Sequence, residues 1–293
     1  MRILNATSPY NLFGLEGQDY DSARIVAVPV PYDSTTSYQA GTRNGPGAII
    51  EASRNLELYS EELGKDISKA GIFTTEELAP DYSSPENMVG RIEKETAIIC
   101  NDSKIPLLLG GEHTISLGAI RALAKKEKEF SVLHFDAHSD SRDEFMGTRY
   151  SHVCVMARVR EVCKSCYSVG VRSTDEASAR KYKDIMYMKD MHAKSCKQIS
   201  DMIVRSTKKR IYLSIDLDVL DPSEMPSVGT PEPDGMRFRE LKEILKSVLE
   251  DKQLLGMDLV ELAPIPGFTA PNYLAAKLAY VIVGYATARS SAH

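Results

Sequence analysis

The chain has 293 residues, 43% hydrophobic and 26% charged, the composition of an ordinary globular protein long enough to bury a sizeable core. A net charge of −5, with no block of lysines or arginines, argues against nucleic acid and anionic membrane as partners. Five cysteines, an odd number without secreted-type spacing, exclude a disulfide scaffold. Inert thiols are expected, with a Cys163–Cys166 or Cys154–Cys196 link as the alternative.

The N-terminal stretch "MRILNATSPYNLFGLEG" lacks a basic start and an apolar core, so no signal peptide is expected. No apolar run reaches the roughly 20 residues that a bilayer requires, and a soluble cytoplasmic protein is the expectation. Along the chain, a β-type run at 24–30 precedes helical patterns at 46–63 and 85–102. A strand at 105–111 leads to a helix at 116–128, and strands follow at 130–136 and 166–171. Helices at 175–183 and 195–207 precede a strand at 210–216, a helix at 237–250, a strand at 253–262 and a helix at 271–289. Several strands are apolar throughout, as expected where both faces are covered. The alternation predicts an α/β three-layer sandwich, with a central mostly parallel sheet flanked by helices. There is no repeat, low-complexity tract or long linker, so a single domain over 1–293 is expected.

In open parallel sheets, ligands bind beyond the carboxyl ends of the strands. The polar clusters fall there: "GGEHT" (110–114), "HFDAHSD" (134–140), "DLD" (216–218) and "VELAP" (260–264) each close an apolar run. Four strands thus deliver His113, Asp136, His138, Asp140, Asp216, Asp218 and Glu261 to one edge. If "DAHSD" continues its strand, Asp136, His138 and Asp140 share a face, each roughly 6.6 Å from the next. Singly, each cluster has a plain structural reading: His113 as a cap, "DLDVLDPS" as an acidic turn, "DAHSD" as a solvated strand end. Together they do not. Two unit charges about 4 Å apart repel by roughly 4 kcal/mol at an effective dielectric near 20, and four aspartates multiply that. Two imidazoles beside four carboxylates read as a metal site. With no thiolate among them, the donors suit manganese or another hard-to-borderline divalent ion rather than structural zinc. Six donors exceed the needs of one ion and predict a pair roughly 3.5–4 Å apart, able to generate hydroxide near neutral pH.

"GGEHT", "HFDAHSD", "SIDLDVLDPS" and "VELAP", in this order, resemble the ureohydrolases, the family of arginases and agmatinases. The likeness extends to "PVPYDSTTSYQAGTRNGPGAI" near the start, and "SRDEFMGTRYSHV" resembles the bacterial and archaeal agmatinase branch. The resemblance implies two Mn2+ per chain: one held by His113, Asp136, Asp140 and Asp216, the other by Asp136, His138, Asp216 and Asp218. It implies that His152 shuttles protons, that Glu261 meets a substrate guanidinium, and that Asp140 also orients the nucleophile. It further implies a homo-trimer or homo-hexamer acting on a small guanidino substrate. Agmatine, yielding putrescine and urea, is the first expectation; N1-aminopropylagmatine or another guanidino compound is the alternative, with arginine or a silent scaffold behind. Asp143 and Glu144 are candidates for holding the distal ammonium. Val153 and the loop "EMPSVGTPEPDGM", with Ser227, Val228 and Asp234, depart from the family pattern and bear on substrate choice.

Overall fold

The apolar runs pair into one eight-stranded sheet in which every pairing is parallel. The structure, a computed structural model, describes residues 7–288. The first six residues of the stretch read for a signal peptide, and residue 289 at the end of the last predicted helix, lie outside the described residues. The strands are β1 (Ile25–Val30), β2 (Tyr59–Ser60), β3 (Lys65–Asp66), β4 (Ile72–Thr74), β5 (Ile105–Gly110), β6 (Ser131–Phe135), β7 (Cys166–Val171), β8 (Ile185–Tyr187), β9 (Arg210–Asp216) and β10 (Gln253–Val260). Their order across the sheet is β4-β1-β5-β10-β9-β6-β7-β8, while β2 and β3 form a separate antiparallel ribbon.

The helices are α1 (Gly45–Ser53), α2 (Pro85–Asn101), α3 (Ile115–Lys126), α4 (Val155–Val162), α5 (Glu176–Lys181), α6 (Met188–Met191), α7 (Cys196–Ser206), α8 (Phe238–Asp251) and α9 (Ala270–Ala288). Successive strand residues point to opposite faces, and β1 shows the result. Val26, Val28 and Val30 join a core with Ile92 of α2, Ile120 of α3 and Val159 of α4. Ile25 and Ala27 join the opposite core with Ile49 of α1, Ile203 of α7, Leu245 of α8 and Leu278 of α9. Each such fully buried large aliphatic side chain contributes about 1.5–3 kcal/mol relative to exposure. Helix starts are marked locally. Ser84 accepts from the Asn87 N–H with Pro85 in the first turn of α2, and Ser195 with Gln198 forms a reciprocal cap on α7.

Three differences from the sequence reading have physical causes. The helix predicted over 46–63 stops at Ser53, because Leu56 and Leu58 pack on the core at a spacing of two and the chain then turns into the β2–β3 ribbon. α4 is absent from the predicted elements; its Arg158 is buried as well as its apolar residues, which blurs the helical period. β6 ends at Phe135, so "DAHSD" is not strand. All five cysteines are free thiols.

The strands that precede the polar clusters, β5, β10, β9 and β6, are four consecutive neighbours in the sheet. The chain visits them out of spatial order, and the crevice at such a switch point is where open parallel sheets place ligands. Close packing of α3 on α2 depends on Gly118: an added Cβ would stand 2.7 Å from the Val89 carbonyl oxygen and from the Ile92 Cβ. Gly90, also in α2, faces open space. Gly118→Ala is expected to destabilise by about 1–3 kcal/mol through overpacking, and Gly90→Ala to stabilise by up to about 1 kcal/mol through helix propensity. Urea unfolding of both variants checks the pair; equal effects would contradict this packing.

Candidate metal centre and active site

Asp136 and Asp216 each leave a neighbouring strand of the sheet, β6 and β9, at its carboxyl end. Each first carboxylate then caps the backbone two residues on: Asp136 Oδ1 accepts from the His138 N–H, and Asp216 Oδ1 accepts from the Asp218 N–H at 2.8 Å. The Ala137 N–H donates to Asp218 Oδ1 at 2.9 Å, tying the two turns together. These side-chain bonds compete with the sheet ladder and draw both segments out of it. The donors of "DAHSD" therefore converge through a turn rather than through alternation along a strand. Asp140 completes the turn with a left-handed backbone, φ 44°.

Two donor groups result. His113 Nδ1 stands 3.2 Å from Asp136 Oδ2, 3.4 Å from Asp140 Oδ2 and 3.1 Å from Asp216 Oδ2. His138 Nδ1 stands 2.8 Å from Asp218 Oδ2 and 3.6 Å from Asp136 Oδ1. Asp136 thus presents one oxygen to each histidine. All these groups except His138 are buried. One proton on His113 Nδ1 can serve only one of three carboxylates, whereas a divalent cation among them serves all. Ligands at about 2.1 Å and near right angles lie about 3.0 Å apart, close to the spacings seen. The six predicted donors therefore fit a metal.

Burial disfavours charge on both imidazoles, but the surrounding carboxylates outweigh it. His138 is pushed up to about 12 by Asp218 and Asp136, and His113 well above the usual range by Asp136, Asp140 and Asp216. Burial, followed by repulsion from Asp218 and Asp136, raises the Asp216 carboxyl as well.

Glu261 and His152 lie beside the His113 group. Glu261 follows β10 in a left-handed conformation, φ 67°, and its Oε1 accepts from the His113 N–H at 2.7 Å. The same oxygen is 3.7 Å from His152 Nδ1. His152 is buried, which opposes protonation, yet Glu261, with Asp140 and Glu112, pushes it up to about 9. Its position is set by the "DSTTSY" segment, which the sequence reading tied to the family likeness but not to this histidine. The His152 N–H donates to Thr35 Oγ1 at 2.9 Å, and its Nε2 is 3.2 Å from Ser37 Oγ. Buried Glu112 pins that segment by accepting from the Ser34 and Thr35 N–H groups, both at 2.7 Å. The sequence reading also passed over His134, whose Nε2 is 2.8 Å from Asp136 Oδ2 and whose Nδ1 is 3.0 Å from Ser168 Oγ. Its place two residues before Asp136, on the same strand face, was the available signal.

Asp143 and Glu144 are placed differently from the cluster. Asp143 is 71% exposed and shares Arg149, at 3.3 Å, and Arg158; Glu144 is exposed. Glu232, from the "GTPEP" loop, comes nearer, with Oε2 4.0 Å from His138 Nε2 and 38% exposed. Among the described residues no helix is long and apolar enough to cross a membrane.

Comparison with known proteins gives the family. The Arginase family description matches residues 23–284, and the chain belongs to that family, whose ureohydrolases are metal-dependent hydrolases acting on guanidino compounds. The chain is 38% identical over 276 residues to the N(1)-aminopropylagmatine ureohydrolase of Synechocystis sp., covering 91% of this chain and 90% of that one. It is 31% identical to the agmatinase of Bacillus subtilis over 84% of this chain and 86% of that one. The crystal structure of agmatine ureohydrolase of Thermoplasma volcanium superposes with a TM-score of 0.89 at 29% identity, covering 98% of this chain and 97% of that one.

Both imidazoles hold protons at pH 7 in the cation-free site, and ligation requires them neutral. Metal loading is therefore expected to release protons, and affinity to rise with pH. Calorimetric titration of the apoprotein with manganese, in two buffers of different ionisation enthalpy, measures the proton count; zero release or net uptake contradicts this charge distribution.

Proposed function

We propose that the protein hydrolyses the guanidino end of agmatine or of N1-aminopropylagmatine, releasing urea and an amine, with two Mn2+ bound. The observation that carries the reading is the enclosure of His113 Nδ1 by three carboxylates, with the Glu261–His152 pair alongside. His113, Asp136, Asp140 and Asp216 would hold one ion, and Asp136, His138, Asp216 and Asp218 the other. When bound, the ions activate water for attack at neutral pH.

The remaining chemistry belongs to side chains. The guanidinium carbon is a poor electrophile and must be held close to the attacking water. Glu261 offers its carboxylate to the planar guanidinium, a geometry suited to forked, charge-assisted bonds. Such positioning removes much of the entropic barrier. Asp140 accepts a hydrogen bond from the attacking water. His152, carrying a proton at neutral pH, delivers it to the departing amine as the C–N bond breaks.

The relatives favour the longer substrate. Four named N(1)-aminopropylagmatine ureohydrolases are 36–38% identical, against 30–31% for four agmatinases. The approach of partly exposed Glu232 to His138 supports it as the acid that meets an amine of the tail, with Asp143 and Glu144 as the other acids for that role.

Manganese-loaded protein offered arginine, agmatine, N1-aminopropylagmatine and guanidinobutyrate is expected to release urea fastest from the aminopropyl compound. Faster release from arginine would overturn the proposed substrate class. His152→Ala is expected to lower turnover by roughly 10²–10⁴-fold while manganese content stays at the wild-type level; loss of metal would refute its assignment as proton donor. Glu232→Gln is expected to raise KM for the aminopropyl compound by about 1.5–5-fold, the range of an exposed ion pair. Asp143→Asn and Glu144→Gln serve as comparison arms. A larger effect from either would move the tail contact to that residue.

A further inference from the structure

Residues at equal register in a parallel sheet lie at one height and share a face. One such row crosses four strands just below the metal donors: Ser168 of β7, His134 of β6, Ser214 of β9 and Asp258 of β10. Each is at most 1% exposed. Four buried polar side chains in otherwise apolar strands are costly unless hydrogen-bonded, and each of these is.

The bonds have a direction. Tyr212 Oη donates to Asp258 Oδ2 at 2.8 Å, and Ser214 Oγ donates to Asp258 Oδ1 at 2.7 Å. Gly256, opposite Tyr212 in register, makes room for its ring, since an added Cβ would stand 2.9 Å from it. Having given its one proton to Asp258, Ser214 Oγ can only accept from His113 Nε2, 2.9 Å away. That keeps a proton on His113 Nε2, so that once the ring is neutral for ligation its Nδ1 lone pair faces Asp136, Asp140 and Asp216. His134, by contrast, uses both nitrogens, on Ser168 and Asp136, and supports a donor without joining the donors.

We propose that Asp258, acting through Ser214, fixes the tautomer and orientation of His113 and is thereby a positioning residue for the metal centre. The inference rests on the cluster being a metal site. Reversing the chain shows what is at stake. In Asp258→Asn, Tyr212 donates to the amide oxygen and the amide nitrogen turns towards Ser214 as a donor. The Ser214 hydroxyl then donates to His113 Nε2, and the His113 proton moves to Nδ1, among the carboxylates.

Manganese titration of the apoprotein, followed by calorimetry and metal analysis, tests this without using activity. Asp258→Asn is expected to weaken one of the two sites by about 10–100-fold, the usual effect of losing a partner that orients a ligand, while the other stays within about twofold. Both sites staying within about twofold of wild type would overturn the proposal, even if the melting temperature falls, because a merely structural Asp258 predicts that pattern. Ser214→Ala is expected to show the same loss, and Ser214→Thr, which keeps the hydroxyl, to recover most of it. Equal affinities for the alanine and threonine variants would overturn the proposal, and this pair decides should Asp258→Asn fail to fold. Wild-type protein that binds no manganese would overturn the metal-site reading itself, before any variant is compared.

Discussion

The repulsion among buried carboxylates is the constraint on which the rest of this molecule depends. Asp136, Asp140, Asp216 and Asp218 lie within one small volume, almost wholly removed from water. Such a set is tolerable only if its charge is offset, by protons on the carboxyls and imidazoles or by cations. The fold holds the donors in place against that repulsion. Two turns of the same form, each a carboxylate closing on the backbone two residues later, lock the aspartates to their own main chain, and the Asp218–Ala137 bond ties one turn to the other.

Strain is concentrated at the same place. Of the six non-glycine residues with positive φ among the described residues, two are Asp140 and Glu261. Left-handed backbone costs a residue with a Cβ about 1–2 kcal/mol. At both positions it aims a carboxylate into the crevice, which regular strand geometry at the sheet edge would not do. Glu261 then makes two connections at once, accepting from the His113 backbone and lying against His152. One carboxylate therefore touches both His113, a proposed metal donor, and His152, the proposed proton donor.

The sequence made much of this legible because the donors come in short motifs at the ends of apolar runs. His113, Asp136, His138, Asp216 and Glu261 could each be placed at a strand end from local pattern alone, and the sheet delivers them together. What could not be read depends on partners distant in the chain. Ser214 and Asp258 look like ordinary strand residues until register sets them side by side. Thr35 and Glu112 act on His152 only through a loop closing over it. Arg149 and Arg158, which pair with Asp143, lie too far from it in pattern to be foreseen. Local misreadings had local causes: the side-chain caps in "DAHSD" override the strand period, and Leu56 with Leu58 ends the first long helical pattern early.

The sheet order also dictates when this centre can come into being during folding. β5 and β10 are adjacent, with Leu109 opposite Leu259, so the last strand of the chain inserts between β9, the strand made just before it, and β5, made much earlier. Until it does, Glu261 is missing, Asp258 is not beside Ser214, and His113 lacks its supports. Pairings of such long sequence separation form late. Cations that bind only the finished arrangement cannot guide the early steps; they stabilise the product of the last one. Their kinetic effect falls on escape from the native state, making the loaded protein slow to unfold rather than quick to fold.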